Sequence, residues 1–381
     1  MALDQNMYVA AILMDLSKAF DCLPHNILLR KLEAYGLSGD SLNLMQSYLS
    51  NRRQQVKVGN SLSRWADIQK GVPQGSILGP LLFNVFINDI FYFIAKSTLY
   101  NYADDNTLSF ASPNFEQLIN VLETESNILI DWFTFNCMKA NPEKFQAIAI
   151  GKKTFNKEPV FNLKGDINIT CEDTVKLLGI EIDYQLKFDA HVSNLCRKAS
   201  QQLAVLKRIG NHLCHLSKLT IFHTFIMSHF NFCPLAWHFC SLSNSKKLEK
   251  VQERALRFIY SDYTSSYECL LDKAQVPSLH VKRMRTMALE TYKIVNKLCP
   301  PVLYDLVQMK DSKYNFRYSN ILQVDSVRTT SYGKQSFKYA ASVLWNSLPN
   351  DFRESNSFNH FKSLIQSWNG KACKCNICCD K

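Results

Sequence analysis

The feature that most constrains the fold is a set of carboxylates placed at the ends of short apolar strands. An apolar run at residues 8–14 ends directly at Asp15. Two short predicted strands flank Asp104 and Asp105, which places this pair at the turn of a β-hairpin. A strand end and an adjacent hairpin tip can converge on one point. Alone, Asp15 could be a helix cap and the Asp104–Asp105 pair a solvated turn. The combination favours a shared site.

Carboxylates that converge in this way need a counter-charge. Like charges held close together raise each other's pKa and oppose folding. Divalent cations remove the conflict, and two ions about 4 Å apart can hold the attacking and leaving oxygens of a phosphoryl transfer. Mg²⁺ prefers such oxygen-rich sites, completed by substrate phosphates. The pattern therefore predicts a site for two Mg²⁺ ions, with Mn²⁺ as an alternative.

The character of the sequence changes at about residue 188. Strand and helix patterns alternate before it, whereas long helical patterns predominate after it, so we expect an α+β region followed by a mostly α-helical one. Of the net charge of +11, the excess lies in residues 189–381, which hold 27 Lys and Arg against 13 Asp and Glu. A basic half joined to a neutral one indicates a polyanionic partner, most often nucleic acid; a bias toward solubility is the alternative.

Cysteine usage and hydropathy exclude two protein classes. The thirteen cysteines show no repeating spacing, and no basic segment followed by an apolar one opens the chain. We therefore expect reduced thiols in an intracellular protein, nuclear or cytoplasmic, rather than a secreted disulfide scaffold. Residues 219–245 lack formal charge but contain three His and one Pro. These are costly in lipid, so we expect a buried helix and no membrane partner.

Five segments, taken in order, carry a family resemblance. Asp15–Asp21 resembles motif A of the reverse transcriptases of non-LTR (LINE-type) retrotransposons, and Gly71–Pro80 resembles their motif B. Tyr102–Asp105 is similar to motif C, the Y-x-D-D box, and Asn141–Lys144 is similar to motif D. Leu177–Ile180 resembles the primer-grip region. The order and spacing agree with that family, and the resemblance covers about half of the chain.

The resemblance implies roles at the metal site. Asp15 and Asp104 would ligate both catalytic ions, and Asp105 would be a weaker partner. The backbone carbonyl of Leu16 would reach the ion bound by the triphosphate. In the nucleotide site, implied binding residues are Phe20, Gln74 and Gly75.

The implied nucleotide-site residues each have a chemical reason. Phe20 would lie under the incoming sugar and leave no room for a 2′-hydroxyl; a core residue is the alternative. Gln74 and Gly75 would line the site, where the missing side chain of Gly75 admits the template–nucleotide pair. Lys144 would donate a proton to the leaving pyrophosphate; a solvated lysine is the alternative. Phe145 stands where the family usually has a small hydroxyl residue.

The resemblance also implies an architecture. We expect a right-hand polymerase palm, an antiparallel sheet backed by helices, in residues 1–188. A helical thumb-like region would follow in residues 189–300, and a C-terminal extension with a Cys-rich tail in residues 301–381. The family carries a fingers region upstream of motif A, and only 14 residues precede Asp15. We therefore expect the fingers to be largely missing and synthesis by this chain alone to be weak or absent.

The implied function is that of an RNA-directed DNA polymerase of a retrotransposon. Its partners would be an RNA template, a DNA primer and deoxynucleoside triphosphates; the oligomeric state is not specified. The alternative is a catalytically inactive remnant that binds nucleic acid through its basic half. Two predicted helices would present cations to a phosphate backbone. The alternative is that these helix faces serve only solubility. The cations are Arg197, Lys198, Lys207 and Arg208 on the first helix, and Lys246, Lys247, Lys250, Arg254 and Arg257 on the second. The crowded thiols of residues 373–379 fit a zinc site poorly.

Overall fold

The computed structural model describes residues 2–151, 159–310 and 320–370. It divides the chain into two compact units. The amino-terminal unit comprises residues 6–180, and the carboxyl-terminal unit runs from residue 181 onward and includes residues 3–5. The Cys-rich tail lies outside the described residues. No described helix is both long and apolar enough to cross a bilayer.

Most strands lie in the amino-terminal unit. The strands are β1 (Tyr8–Met14), β2 (Leu16–Ser17), β3 (Arg52–Gln54), β4 (Lys57–Val58), β5 (Ser61–Leu62), β6 (Ala66–Ile68), β7 (Thr98–Tyr102), β8 (Asp105–Ser112), β9 (Lys139–Ala140), β10 (Gln146–Ile150), β11 (Val160–Leu163), β12 (Ile167–Thr170), β13 (Thr174–Leu177) and β14 (Ile180–Asp183).

The helices divide between the two units. Those of the amino-terminal unit are α1 (His25–Ala34), α2 (Gly39–Leu49), α3 (Leu78–Ile87) and α4 (Phe115–Phe135). Those of the carboxyl-terminal unit are α5 (Asp189–Ile209), α6 (His215–Ile221), α7 (Met227–Asn231), α8 (Leu242–Tyr260), α9 (Tyr267–Ala274), α10 (Leu279–Val295), α11 (Phe337–Ser347), α12 (Asn350–Arg353) and α13 (Phe358–Ser367).

A four-stranded antiparallel sheet organises the amino-terminal unit. Its strand order is β10-β1-β8-β7, so β1 has a neighbour on both sides. A strand that is paired on both edges and covered by a helix needs an almost continuous apolar sequence, which β1 has. Ala10 and Ile12 are fully buried there, and α4 packs on β1 and β8 through Leu122 and Leu129.

Helices build the carboxyl-terminal unit. α5 packs on α8, and α10 packs on α11 and α13 around the buried Trp345 and Phe361. The carboxylate of Asp4, near the start of the chain, is buried in this unit. It accepts hydrogen bonds from the backbone N–H groups of Arg328 and Thr329 at 2.7–3.1 Å. These bonds fasten residues 3–5 to the helical unit.

The α+β expectation is confirmed, with differences at particular elements. The helical patterns after residue 188 predict four long helices, at 190–209, 216–232, 245–259 and 280–297. The first, third and fourth are present as α5, α8 and α10, whereas the second is divided into α6, a π-helical turn at 222–226 and α7. The weak alternation at residues 175–182 predicts a single strand, and this prediction is wrong. The backbone takes positive φ angles at Leu178 and Gly179, so the segment forms two short strands, β13 and β14.

Candidate active site

The register of the sheet brings the predicted carboxylates to one edge. Met14, the last residue of β1, is paired with Asn106 of β8. Asp15 therefore follows β1 at the level where Asp105 begins β8. Asp105 is itself paired with Tyr102 of β7, which leaves Ala103 and Asp104 as the two turn residues. The register thus places Asp15 and Asp105 at the same edge of the sheet, with Asp104 in the turn directly before Asp105.

Two asparagines that sequence reasoning missed hold this turn in shape. Ala103 has a φ of 53°, a left-handed conformation that a non-glycine residue adopts at a cost. Asn101 and Asn106 are cross-strand partners, one position beyond the Tyr102–Asp105 pair that closes the turn. Asn101 Nδ2 donates to the Ala103 carbonyl at 2.9 Å, and Asn106 Nδ2 donates to the Asp104 carbonyl at 3.0 Å. The signal available in the sequence was an asparagine just outside the Tyr102–Asp105 pair on each side of the turn.

Lys144 lies beside the first of these carboxylates. Its Nζ is 3.0 Å from Asp15 Oδ2. A cleft of about 370 Å³ opens at this point, and Asp15, Asp105 and Lys144 line it together with Glu172 and Lys176. Leu177 and Leu178, from the segment that resembles the primer grip, line the same cleft. One charged residue each from motifs A, C and D therefore lines this cavity, whereas Asp104 is not among its lining residues.

The electrostatics of the cleft show the strain of grouped carboxylates. Burial raises the pKa of Asp105 above its usual value of 3.8, and the negative charges of Asp104 and Asp15 raise it further, whereas Lys144 lowers it. Within the described residues, no three His, Cys, Asp or Glu side chains converge closely enough to form a ready metal site. The metal ligands therefore stay a prediction.

Motifs A and B are joined by backbone and side-chain hydrogen bonds. Val72 N donates to the Phe20 carbonyl at 2.9 Å, and Gln74 Nε2 donates to Asp21 Oδ1 at 2.9 Å. The Phe20 ring is half-buried and stacks on Phe83 of α3, with ring centroids 4.4 Å apart. Phe20 therefore packs against the core, as one of the two predicted alternatives has it, and its place under the incoming sugar stays a prediction.

Glycine in motif B has two different explanations. Gly71 approaches motif A so closely that a Cβ would lie 2.8 Å from the Asp21 carbonyl oxygen. Its own carbonyl is 2.7 Å from His25 Nε2, a contact that sequence reasoning missed. Gly75 has a φ of 78°, but a Cβ there would meet nothing within 4 Å. Open space beside Gly75 agrees with its predicted place along a ligand surface, although its backbone conformation alone also favours glycine.

Glu125 was also missed, although it positions the strand that leads to the hairpin turn. It lies on the apolar stripe of α4 and is buried. Its carboxylate accepts hydrogen bonds from the backbone N–H groups of Ala95, Lys96 and Ser97 at 2.7–3.1 Å and from the Ser97 hydroxyl. Burial raises the pKa of Glu125, but these hydrogen bonds outweigh it and the net shift is downward. A carboxylate at helical spacing within an apolar stripe was the signal.

The basic residues predicted along two helices are mostly exposed. Arg197, Lys198, Lys207 and Arg208 lie on the surface of α5, and Lys246, Lys247, Lys250 and Arg254 on that of α8. Arg257 is different. Its guanidinium contacts Glu253 Oε1 at 2.6 Å and the Ser265 carbonyl at 3.0 Å. Its predicted role as a phosphate contact is not supported, because these local acceptors already engage it.

Between residues 212 and 240, a sequence cluster of His and Cys lies within apolar helical patterns, which predicts that these side chains pack in the core. That expectation is wrong for His212, Cys214, His215 and Cys233, which are exposed because they lie where helices end and connect. Cys240 is buried, as expected.

Comparison with known proteins decides the family. Residues 2–182 match the family described as reverse transcriptase (RNA-dependent DNA polymerase). This region belongs to the reverse transcriptase family. The chain is also 29% identical over 269 residues to the probable RNA-directed DNA polymerase from transposon BS of Drosophila melanogaster, covering 68% of this chain and 30% of that protein. It is 26% identical to the RNA-directed DNA polymerase from mobile element jockey of the same organism, with 68% and 29% covered.

The family assignment confirms two expectations. The resemblance to reverse transcriptases of non-LTR retrotransposons holds, and the antiparallel sheet backed by helices is the palm of a polymerase fold. The chain is also similar to a telomerase structure from Candida albicans, with 14% identity and a TM-score of 0.38. The match covers 71% of this chain and 51% of the telomerase chain. The chain spans about a third of the length of the curated relatives it matches.

Proposed function

We propose that the chain acts as an RNA-directed DNA polymerase of a retrotransposon. It would transfer deoxynucleotides to the 3′-hydroxyl of a DNA primer along an RNA template. The observation that carries this proposal is the meeting of Asp15, Asp104 and Asp105 at one sheet edge, within the region that matches the reverse transcriptase family. The RNA-directed DNA polymerases among its relatives support the same reaction class.

The donor set suits hard divalent cations. Asp15 and Asp104 would hold both ions, Asp105 would contribute less, and the Leu16 carbonyl would complete the coordination. All of these donors are oxygens, which is the preference of Mg²⁺ and Mn²⁺. Burial and the negative charges of Asp104 and Asp15 raise the pKa of Asp105, and a bound cation would offset this charge repulsion. Bound there, divalent ions would neutralise charge on the attacking and leaving oxygens.

The remaining roles fall to side chains around the cleft. Phe20 would exclude a 2′-hydroxyl from the sugar site, while Gln74 and Gly75 would line the nucleotide. Lys144 Nζ, already beside Asp15, would give its proton to the leaving pyrophosphate. Exposed cations of α5 and α8, in a thumb-like region, would hold the primer–template backbone. We place this activity inside the cell, in the nucleus or cytoplasm.

Primer extension by the purified chain tests the proposal. The substrate would be an RNA template with an annealed DNA primer, supplied with Mn²⁺ and deoxynucleotides. Weak extension is enough for the test: Asp15→Asn or Asp104→Asn should abolish it, because each substitution deletes the charge that would hold the ions. Asp166→Asn, a change at an exposed turn residue, is the matched control and should retain extension. Absence of extension with intact template binding would instead support the alternative, an inactive remnant that binds nucleic acid.

A further inference from the structure

An ammonium group is built into the carboxylate cluster. Lys144 Nζ contacts Asp15 Oδ2 at 3.0 Å, and it also lies near enough to Asp105 to influence that carboxyl. The Asp15 side chain is 25% exposed and that of Lys144 is 64% exposed. One end of the ion pair is therefore sheltered in the cleft, while the other reaches it from solvent.

The backbone around Lys144 is hydrogen-bonded to Asp15 and to the residues that follow it. Asn141 N donates to the Asp15 carbonyl at 3.0 Å, and β9 pairs with β2 directly after Asp15. A turn of 3₁₀-helix, Pro142–Lys144, then presents the lysine. The Lys144 backbone is thus fixed, but its long exposed side chain can leave Asp15 without breaking any of these backbone bonds.

We propose that Lys144 is a built-in counter-cation that competes with a divalent ion for Asp15. The inference rests on the proposed function, which assigns the same carboxylate to that ion. The lysine would hold the Asp15 carboxylate in place while the site lacks metal and would withdraw when the metal binds. A compact, mobile ammonium suits this exchange better than a guanidinium, which holds carboxylates through two parallel bonds.

This role is separable from proton donation. A residue that only protonates the leaving group changes the rate of synthesis and leaves cation affinity alone. A competing cation weakens metal binding before any nucleotide is present. Because the lysine end of the pair is largely exposed, the expected effect of the competition is about two- to fivefold in Mn²⁺ affinity, the range of surface ion pairs.

Mn²⁺ binding to the full chain, measured by electron paramagnetic resonance without nucleotide, tests the inference. We expect Lys144→Met to bind Mn²⁺ about two- to fivefold more tightly than the unmodified chain. Lys176→Met is the matched control, because Lys176 lines the same cleft without an ion pair to Asp15. The Mn²⁺ affinity of Lys176→Met should rise clearly less. Thermal unfolding gives a second readout: Lys144→Met should melt lower without Mn²⁺, and saturating Mn²⁺ should narrow that difference.

Two results would overturn the inference. One is unchanged or weaker Mn²⁺ binding by Lys144→Met. The other is an equal gain in Mn²⁺ affinity by Lys176→Met, which would mean that both variants act only through the loss of a positive charge in the cleft. Failure of the proposed function has a different signature. In that case Mn²⁺ would not bind at the cleft at all, or Asp15→Asn would leave its binding unchanged.

Discussion

At the scale of single residues, substitutions of Phe20 test two roles separately, its packing against the core and its proposed selection of deoxynucleotides. Its ring stacks on Phe83, so Phe20→Val should lower the free energy of unfolding by about 1–2 kcal/mol. The smaller side chain should also admit ribonucleotides. We expect the deoxynucleotide preference in kcat/KM to fall about ten- to a hundredfold. Phe20→Tyr keeps the ring and should retain the preference. An unchanged preference in Phe20→Val would remove Phe20 from the sugar site.

The residues that could be predicted from sequence are those whose chemistry is locally conspicuous. Asp15, Asp104 and Asp105 follow or join apolar strands, and the strand pattern alone places them near one another. Asn101 and Asn106 could not be found in this way. Their bonds to the turn depend on the cross-strand register, which is set by side-chain packing across the whole sheet.

At the scale of elements, Glu125 links α4 to the segment that leads into β7. Glu125→Gln replaces an acceptor oxygen with a donor facing backbone N–H groups, so we expect a loss of about 1–3 kcal/mol in the free energy of unfolding. Because the pKa of Glu125 is lowered from its usual 4.5, its stabilisation is present above about that pH and is lost as pH falls through the folded-state value.

Chemical denaturation at pH 7 and at lower pH measures both effects. Glu116→Gln, at an exposed position in the first turn of the same helix, is the control and should change stability by no more than about 0.5 kcal/mol. If Glu125→Gln were as stable as this control at pH 7, the hydrogen bonds to residues 95–97 would contribute nothing net.

Long, strongly periodic elements could be predicted, whereas short ones could not. α5, α8 and α10 each present a continuous apolar stripe, so their periodicity is visible without tertiary information. β13 and β14 are four residues each, too short for an alternating pattern to show where one ends. The turn between them depends on Leu178 in a left-handed conformation, which no sequence preference indicates.

At the scale of the whole molecule, the positive charge of the carboxyl-terminal half should govern nucleic-acid affinity. Lys246, Lys250 and Arg254 are exposed and lie at four-residue spacing along α8. Replacing all three with Gln should weaken binding and reduce the slope of log K against log salt by about 0.7–0.9 for each phosphate that the chain no longer neutralises. The same replacement at Arg30, Lys57 and Lys96 is the control, with an equal change in net charge.

Fluorescence anisotropy with a labelled RNA–DNA duplex across a salt series gives both slopes. The control variant should keep a slope close to that of the unmodified chain. Equal reductions in the two variants would mean that net charge, rather than the surface of α8, sets the affinity.

The central claim is that Asp15 and Asp104 together hold divalent ions, and crystals of the full chain grown with Mn²⁺ test it most directly. Anomalous diffraction locates the ions whether or not the chain completes a catalytic cycle. We expect a peak about 2.0–2.6 Å from carboxylate oxygens of both residues, the range of such bonds. With a deoxynucleoside triphosphate present, a second peak should lie about 4 Å from the first. Saturating Mn²⁺ with no peak at this pair, and peaks only at other carboxylates, would contradict the claim.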